Sequence, residues 1–316
     1  MSLNRASRPS GDDLSVPGSV ANLGSGFDTL AVAVQLYLRL RVVDIRDDGA
    51  ATLTVVKSAP PVRGKNAVER AYQAIARWTG LKAPSVFVEA ESDIPMAAGL
   101  GSSAAAAVAG LRMFERVTQP LPEGVLLAVA TSLESHADNA AAALLGGLTS
   151  VIEREGDEPV ALRWHWPEDL RFVVATPSVG LSTSKARTAL PDSLPRRDAV
   201  FNMQRVLSLV HALQTGDYDL LRESVRDRWH QRARAALVPQ LGEALALEDP
   251  AILASFLSGA GPSVALVARG DFERLEKLLA STYERAGCPV TIRTLAVHQT
   301  SDVAREAVAS APGRNR

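Results

Sequence analysis

From 35 to 44 the chain alternates apolar and polar positions, with Leu36, Leu38, Leu40 and Val42 set between Tyr37, Arg39 and Arg41. A period of two puts the apolar residues on one face of a strand. Residues 51–56 predict a second strand, paired with the first across the turn Asp47-Asp48-Gly49. The period then changes. Val68, Ala71, Tyr72, Ile75 and Ala76 recur at helical spacing, and Asn66 and Gly80 supply a cap and a stop. A strand near 85–91, a glycine turn and an alanine-rich helix to about 117 follow, and then helices at 123–135 and 138–145 broken near His136. A short buried strand is predicted at 172–176, with arginine-rich amphipathic helices at about 196–214 and 217–236. The chain closes as strand, glycine turn, strand, helix 271–286 and strand 289–297, a β-β-α-β run. Strands in hairpins mixed with helices favour an α+β fold over a doubly wound sheet. There is no internal repeat, and the hydrophilic segment from Glu153 to Pro159 sets a boundary around 154–169.

At 316 residues the chain suits two domains, or one large one, with ample core. A formal charge of −1 offers no global basic field for nucleic acid. The single cysteine, Cys288, excludes an internal disulfide framework and a cysteine-rich zinc site, and reads as a small apolar filler. Residues 1–13 are polar, carry Pro9 and Gly11 and lack an apolar segment, which predicts a disordered arm and not a signal peptide. No charge-free apolar run reaches membrane-spanning length. The expectation is a soluble, cytoplasmic protein with neither nucleic-acid nor membrane partners.

The most informative stretch runs from Pro95 through Gly99, Leu100, Gly101, Ser102, Ser103 and Ala104 into the alanine helix. Glycines let backbone approach a ligand closely, and the first N–H groups of the helix form an anion site. The two hydroxyls can meet phosphate oxygens or a magnesium ion. A Walker loop is excluded because no lysine follows the glycines. The dinucleotide fingerprint is formally met by Gly99, Gly101 and Ala104, but it needs a strand ending at the first glycine, and Pro95 intervenes. The alternative is a helix start built from small residues for close packing.

Other clusters carry a functional and a structural reading alike. Asn22 and Asp28 sit on a glycine-rich loop and can hold an ammonium or a hydroxyl, or can simply form turns. Glu134, His136, Asp138 and Asn139 lie within six positions. On one helix, Glu134 and Asp138 would share a face and repel unless a cation bridges them. Magnesium suits these carboxylates and no zinc motif is present; the competing role is Asp138 as a helix cap. Arg187, beside Thr183, and Arg234 can fork a carboxylate together, or be solvated helix faces. Gly259 and Gly261 lie in a proline-containing turn that suggests close backbone approach. His165, His211 and His298 read as core or surface fillers.

Taken in order, these segments resemble the GHMP kinase superfamily and, within it, the homoserine kinase branch. The superfamily's P-x-S-x-A-N-L-G-x-G-F-D-like, P-x-x-x-G-L-G-S-S-A-A and S-G-A-G-P-[ST] signatures are matched at 17–28, 95–105 and 258–263. The branch's E-x-H-x-D-N, T-x-x-A-R-x-x-L-P and H-Q-x-x-R-x-x-[LI]-[IV]-P segments are matched from Glu134, Thr183 and His230. Departures are Gly18 at a small-polar position, Ser25 and Ala137 in place of prolines, and Arg232-Ala233 in place of a proline-tyrosine pair.

The resemblance implies an α+β, two-domain GHMP kinase fold, the N-terminal domain ribosomal S5 domain 2-like and the C-terminal domain ferredoxin-like. The expected divisions are a disordered arm at 1–13, an ATP-binding domain at 14–160, a C-terminal domain at 161–307 and a polar tail at 308–316. It further implies ATP and Mg2+, L-homoserine as acceptor, and a homodimer. By the same resemblance Asn66, Pro95, Gly99, Leu100, Gly101, Ser102, Ser103, Ala104, Gly259 and Gly261 serve ATP, and Ser103 and Glu134 the metal. Asn22, Asp28, His136, Asp138, Thr183, Arg187 and Arg234 serve the substrate, with Asp138 and Asn139 at the chemistry. Other acceptors, mevalonate or a sugar, and a non-catalytic nucleotide-binding regulator on the same scaffold are the alternatives.

Overall fold

The computed structural model describes residues 13–61, 66–134 and 137–299. In chain order its elements are β1 (Asp13–Ala21), β2 (Leu30–Arg46), β3 (Leu53–Ala59), α1 (Ala67–Thr79), β4 (Ser85–Ser92), α2 (Ser102–Val117), α3 (Glu123–Glu134), α4 (Asp138–Leu145), β5 (Leu148–Ile152) and β6 (Val160–Trp164). Then come β7 (Arg171–Pro177), α5 (Thr183–Thr188), α6 (Arg196–Thr215), α7 (Leu221–Ser224), α8 (Gln231–Arg234), α9 (Leu241–Leu245), β8 (Ile252–Leu257), β9 (Val264–Ala268), α10 (Phe272–Glu284) and β10 (Val290–Leu295). Of the arm expected at 1–13, only the start of β1 falls within this description, and the tail at 308–316 lies outside it.

The first sheet has the order β3-β4-β2-β5-β6, with β1 pairing β2. Its helical layer packs through small residues. Ala104, Ala105, Ala107, Ala109 and Gly110 of α2 are buried, and α1 crosses so close that a Cβ at Gly110 would lie 2.2 Å from the Val68 carbonyl oxygen. Asn66 caps α1 by accepting from the Val68 N–H, and Gly80 ends it in the left-handed region at φ 67°, both as the pattern predicts. The second sheet is antiparallel in the order β10-β7-β9-β8, with α10 packed on it. From β7 through α6, β8, β9 and α10 to β10, this is the ferredoxin-like β-α-β-β-α-β arrangement. One apolar cluster runs from the first sheet through Trp166 to Phe172 and Phe256 of the second, and a smaller one lies between the second sheet and α10.

Three expectations are corrected. The strand after Gly49 does not pair with β2: β3 runs parallel to β4, and β4 lies between β3 and β2. Asp48 accounts for this. Its carboxylate accepts from the Ala50 N–H and from both the N–H and hydroxyl of Ser85, which ties the turn to the start of β4. The helix expected at 217–236 is split into a 3-10 turn, α7 and α8. Asp227 ends the run by accepting from the backbone N–H groups of Trp229, His230 and Gln231 and from the Asn202 amide. The division expected between 160 and 161 cuts β6, which pairs with β5 in the first sheet, so the change of sheet falls after Trp164. β1, β5 and β6 are elements that the pattern reading does not separate. Among the described residues no helix is long and apolar enough to cross a membrane.

Candidate active site

Three turns meet between the sheets and build the site from backbone. The loop after β1 (22–28), the loop before α2 (97–101) and the β8–β9 hairpin are joined by main-chain bonds. Gly259 N–H donates to the Ala21 carbonyl at 3.1 Å, Ser263 N–H to Ala98 at 3.2 Å, and Ser19 N–H to Leu100 at 3.1 Å. Side chains complete the junction: the Asn22 amide donates to the Gly259 carbonyl at 2.9 Å, and the Ser258 hydroxyl to the Gly99 carbonyl at 2.6 Å. Such close approach demands glycine at two positions. A Cβ on Gly99 would lie 2.3 Å from the Ser258 carbonyl oxygen, and one on Gly101 would lie 2.1 Å from the Ser19 hydroxyl; both residues have φ above 70°.

These turns enclose a cavity of about 340 Å³. On one side α2 begins at Ser102 after the Gly101 cap, its first turn contains no acidic residue, and Ser102, Ser103 and Ala104 line the cavity, which brings the unpaired N–H groups of a helix start to its wall. The Ser103 hydroxyl donates to Glu134 Oε1 at 2.8 Å, which brings one alcohol and one carboxylate oxygen together at the end of α3. At the start of α4, Asp138 is buried, and its Oδ1 accepts from the backbone and side-chain N–H groups of Asn139. Asn139 Oδ1 in turn accepts from the Ser19 hydroxyl at 2.7 Å. Asp138 thus opens the helix, but Ala137 is the capping position, and no side-chain cap forms there.

The other side is arginine-rich. One Arg187 nitrogen donates to both Asp28 carboxylate oxygens at 2.9 Å, while the Asp28 N–H donates to Asn22 Oδ1. Arg234 is only 2% exposed, so the solvated-face reading fails for it. It donates to the Ala186 and Gly259 carbonyls and to His230 Nδ1. Its guanidinium carbon lies 5.2 Å from the Phe27 ring centre, and that of Arg187 lies 5.9 Å from it. Burial lowers the Arg234 pKa to about 10, so it remains a cation at neutral pH. Burial also lowers His230 to about 4, and the neutral ring stacks on Phe27. With Nδ1 accepting from Arg234, His230 carries its proton on Nε2 and donates it to the Gly24 carbonyl at 2.9 Å.

Asn22, Asp28, Gly99, Leu100, Gly101, Ser102, Ser103, Ala104, Glu134, Asp138, Asn139, Thr183, Arg187, Arg234 and Gly259 all line this one cavity. Asn66 does not: it lines an adjoining pocket of about 70 Å³ with Leu38, Val68, Met96 and Ala106, and Ser102 is common to both. Pro95 and Gly261 are not on the cavity wall, although Gly261 backs Gly99. His136 lies outside the described residues. Arg70, Leu133 and Leu181 line the cavity and were missed by pattern reasoning. Arg70 was legible only as the position one helical turn beyond the Asn66 cap.

Comparison with known proteins agrees with this geometry. Residues 66–147 match the family model for the GHMP kinases N-terminal domain, and 209–285 that for the GHMP kinases C-terminal domain. The chain belongs to the GHMP kinase family, the class of ATP-dependent small-molecule kinases. Homoserine kinase of Thermus thermophilus is 41% identical over 265 residues, covering 82% of this chain and 88% of that protein. Homoserine kinase of Moorella thermoacetica is 36% identical over 283 residues, covering 89% and 95%. Its branch within the family is therefore that of the homoserine kinases. The crystal structure of homoserine kinase from Cytophaga hutchinsonii has the same fold, with a TM-score of 0.79 at 24% identity over 94% of this chain and 98% of that one.

Proposed function

We propose that the cavity transfers the γ-phosphoryl of ATP to the side-chain hydroxyl of L-homoserine, giving O-phospho-L-homoserine. The observation that carries this reading is the meeting, in one cavity, of an acid-free helix N-terminus with the Asp28–Arg187 pair and Arg234. A zwitterionic amino acid presents a carboxylate and an ammonium side by side. The exposed Asp28–Arg187 pair can exchange its mutual contact for both, with Arg187 and buried Arg234 taking the carboxylate and Asp28 with Asn22 the ammonium. An uncharged sugar would leave this wall unanswered. Thr183 borders the same region, and His136 joins the substrate residues by the family resemblance alone.

Residues 99–104 take the phosphates through backbone N–H groups, and the adenine ring enters the apolar pocket beside Asn66. For Mg2+, the donor set fits. Ser103 and Glu134 place two hard oxygens 2.8 Å apart, and among the described residues no group of three or more His, Cys, Asp or Glu would enclose the ion fully. Mg2+ usually takes one or two protein oxygens and completes its sphere with phosphate and water. When bound, the ion neutralises charge on the β- and γ-phosphates.

Phosphoryl transfer then asks for alignment. Asp138 and Asn139 hold the homoserine hydroxyl in line. Its oxygen forms the new bond to phosphorus as the bond to the β-phosphate oxygen breaks, and its proton leaves to an oxygen of the transferred group. The same reading carries a homodimer and a cytoplasmic location. ADP release coupled to a reporter, across homoserine, mevalonate, shikimate and galactose, tests the assignment. Turnover should be confined to homoserine, and turnover of another acceptor in its place rejects it.

A further inference from the structure

The three arginines on the cavity wall are unequally committed. Arg187 is held by Asp28, and Arg234 is buried with its Nε and Nη1 donors bound to the Ala186 and Gly259 carbonyls and to His230. Arg70 comes from the N-terminal side, is exposed, and has no side-chain hydrogen bond or ion pair among the described residues. Its placement is not accidental to the helix. The Arg70 N–H donates to the Asn66 carbonyl at 3.1 Å, so Arg70 stands one turn beyond the residue that lines the small apolar pocket. Close packing of Gly110 against Val68 fixes α1 relative to α2, and Ser102 at the start of α2 borders both spaces.

Charge makes the case for a ligand. The polyphosphate of ATP carries about −4, a divalent ion cancels half, and a helix N-terminus supplies only about +0.5. Glu134 and Asp138 add negative charge to the same cavity, and the glycine loop contains no lysine. Among the described residues of the N-terminal wall, Arg70 is the cation that can restore the balance, and its guanidinium matches phosphate geometry with paired donors.

We infer that Arg70 is a phosphate-binding residue whose guanidinium closes on the non-bridging oxygens of the β- and γ-phosphates. The inference rests on the ATP reading of the cavity. Isothermal titration of the full-length parent, Arg70→Gln and Arg70→Lys with ATP, ADP and AMP tests it, together with steady-state rates on homoserine. Arg70→Gln should weaken ATP and ADP on the order of 10- to 100-fold, the range for a lost charge-assisted hydrogen bond. AMP affinity, the homoserine KM and the melting midpoint should stay unchanged, and Arg70→Lys should recover part of the loss. ATP affinity close to that of the parent in Arg70→Gln overturns the inference. So does an equal loss for AMP, which would make Arg70 a support of the nucleoside pocket. If the parent binds none of the nucleotides, the ATP reading itself falls and takes this role with it.

Discussion

Truncating Arg187 and truncating Arg234 should have the same effect on homoserine and very unequal effects on folding. The side chains of Arg187 and Asp28 are 37% and 34% exposed, so their pair contributes only about 0.2–1 kcal/mol to stability. Arg234→Ala removes a buried brace. Gly259 keeps a donor in the Asn22 amide, but His230 Nδ1 and the Ala186 carbonyl both lose the Arg234 donor. Each orphaned buried acceptor costs about 1–3 kcal/mol. Against this stands relief of a buried charge: lowering of the Arg234 pKa from 12.5 to about 10 corresponds to about 3 kcal/mol of desolvation cost in the folded protein. The cavity left by the side chain adds to the loss. The net expectation is a destabilisation of about 2–4 kcal/mol for Arg234→Ala and under about 1 kcal/mol for Arg187→Ala.

On substrate, both variants should lose about 2–5 kcal/mol, at least a thirtyfold rise in the homoserine KM, with ATP affinity retained. Urea unfolding gives the first quantity and initial rates the second. The acceptor 3-aminopropanol, which lacks the carboxylate, is the control: it should be poor with the parent and no poorer with either variant. A carboxylate seated on Arg234 also raises its pKa, so homoserine should raise the parent's melting midpoint more than 3-aminopropanol does. Equal stability of the two variants would refute the bracing role of Arg234. Parallel losses on both acceptors would refute the carboxylate site.

Three further outcomes follow from single contacts. Glu134→Gln keeps the shape beside Ser103 but removes the charge facing Mg2+; turnover should fall by about 10²-fold and recover partly at high magnesium, and normal turnover at limiting magnesium would contradict the metal assignment. Gly101→Ala would drive its Cβ into the Ser19 hydroxyl, so both activity and stability should fall; Ser19→Gly in the same chain should restore part of the stability, and no restoration would place the strain elsewhere. His230 has a folded pKa of about 4 against an ordinary 6.5, so its contribution is complete above about pH 6.5 and is lost as pH falls toward 4, by up to about 3 kcal/mol. His230→Gln should flatten the stability profile in that window, and an unchanged slope in unfolding experiments would show that the ring is not buried as a neutral group.

Local order was legible wherever one residue decides it. Asn66 and Gly80 bound α1, and the glycine-serine run marks the start of α2, because caps and left-handed turns depend on the residue in place. The insertion of β4 between β2 and β3 was not legible. It follows from Asp48 binding Ser85, 37 positions away, and adjacent strands in sequence otherwise predict a hairpin. Arg234 shows the same limit within the site. Its helical spacing matches a solvated face, and its burial comes from Phe27, His230 and Gly259 on three separate segments. Arg70 carried no signal beyond its position on an amphipathic helix, one turn after the Asn66 cap.

What unites the site is that the loops of the N-terminal half take their geometry from contacts with the C-terminal half. Asn22, Asp28 and Ala97 adopt positive φ of 72°, 50° and 52°, conformations that cost non-glycine residues about 1–2 kcal/mol each. Each of these three residues is bonded to the C-terminal half: the Asn22 amide to Gly259, the Asp28 carboxylate to Arg187, and the Ala97 carbonyl to the Leu181 N–H at 3.0 Å. Docking of the halves therefore supplies the energy that keeps the loops strained and open to ligand. One departure from the family pattern, Ser25, falls on this junction. Ser25, at a motif position where the resemblance described above leads one to expect proline, donates its hydroxyl to the Ser224 carbonyl at 2.8 Å, and its own carbonyl accepts from Asn202. Gly24 beside it could carry no side chain, since a Cβ would lie 1.8 Å from the Val225 carbonyl oxygen. Where a proline ring would stiffen the loop from within, hydrogen bonds pin it across the junction instead, so the groups it presents to the cavity depend on the docking of the halves.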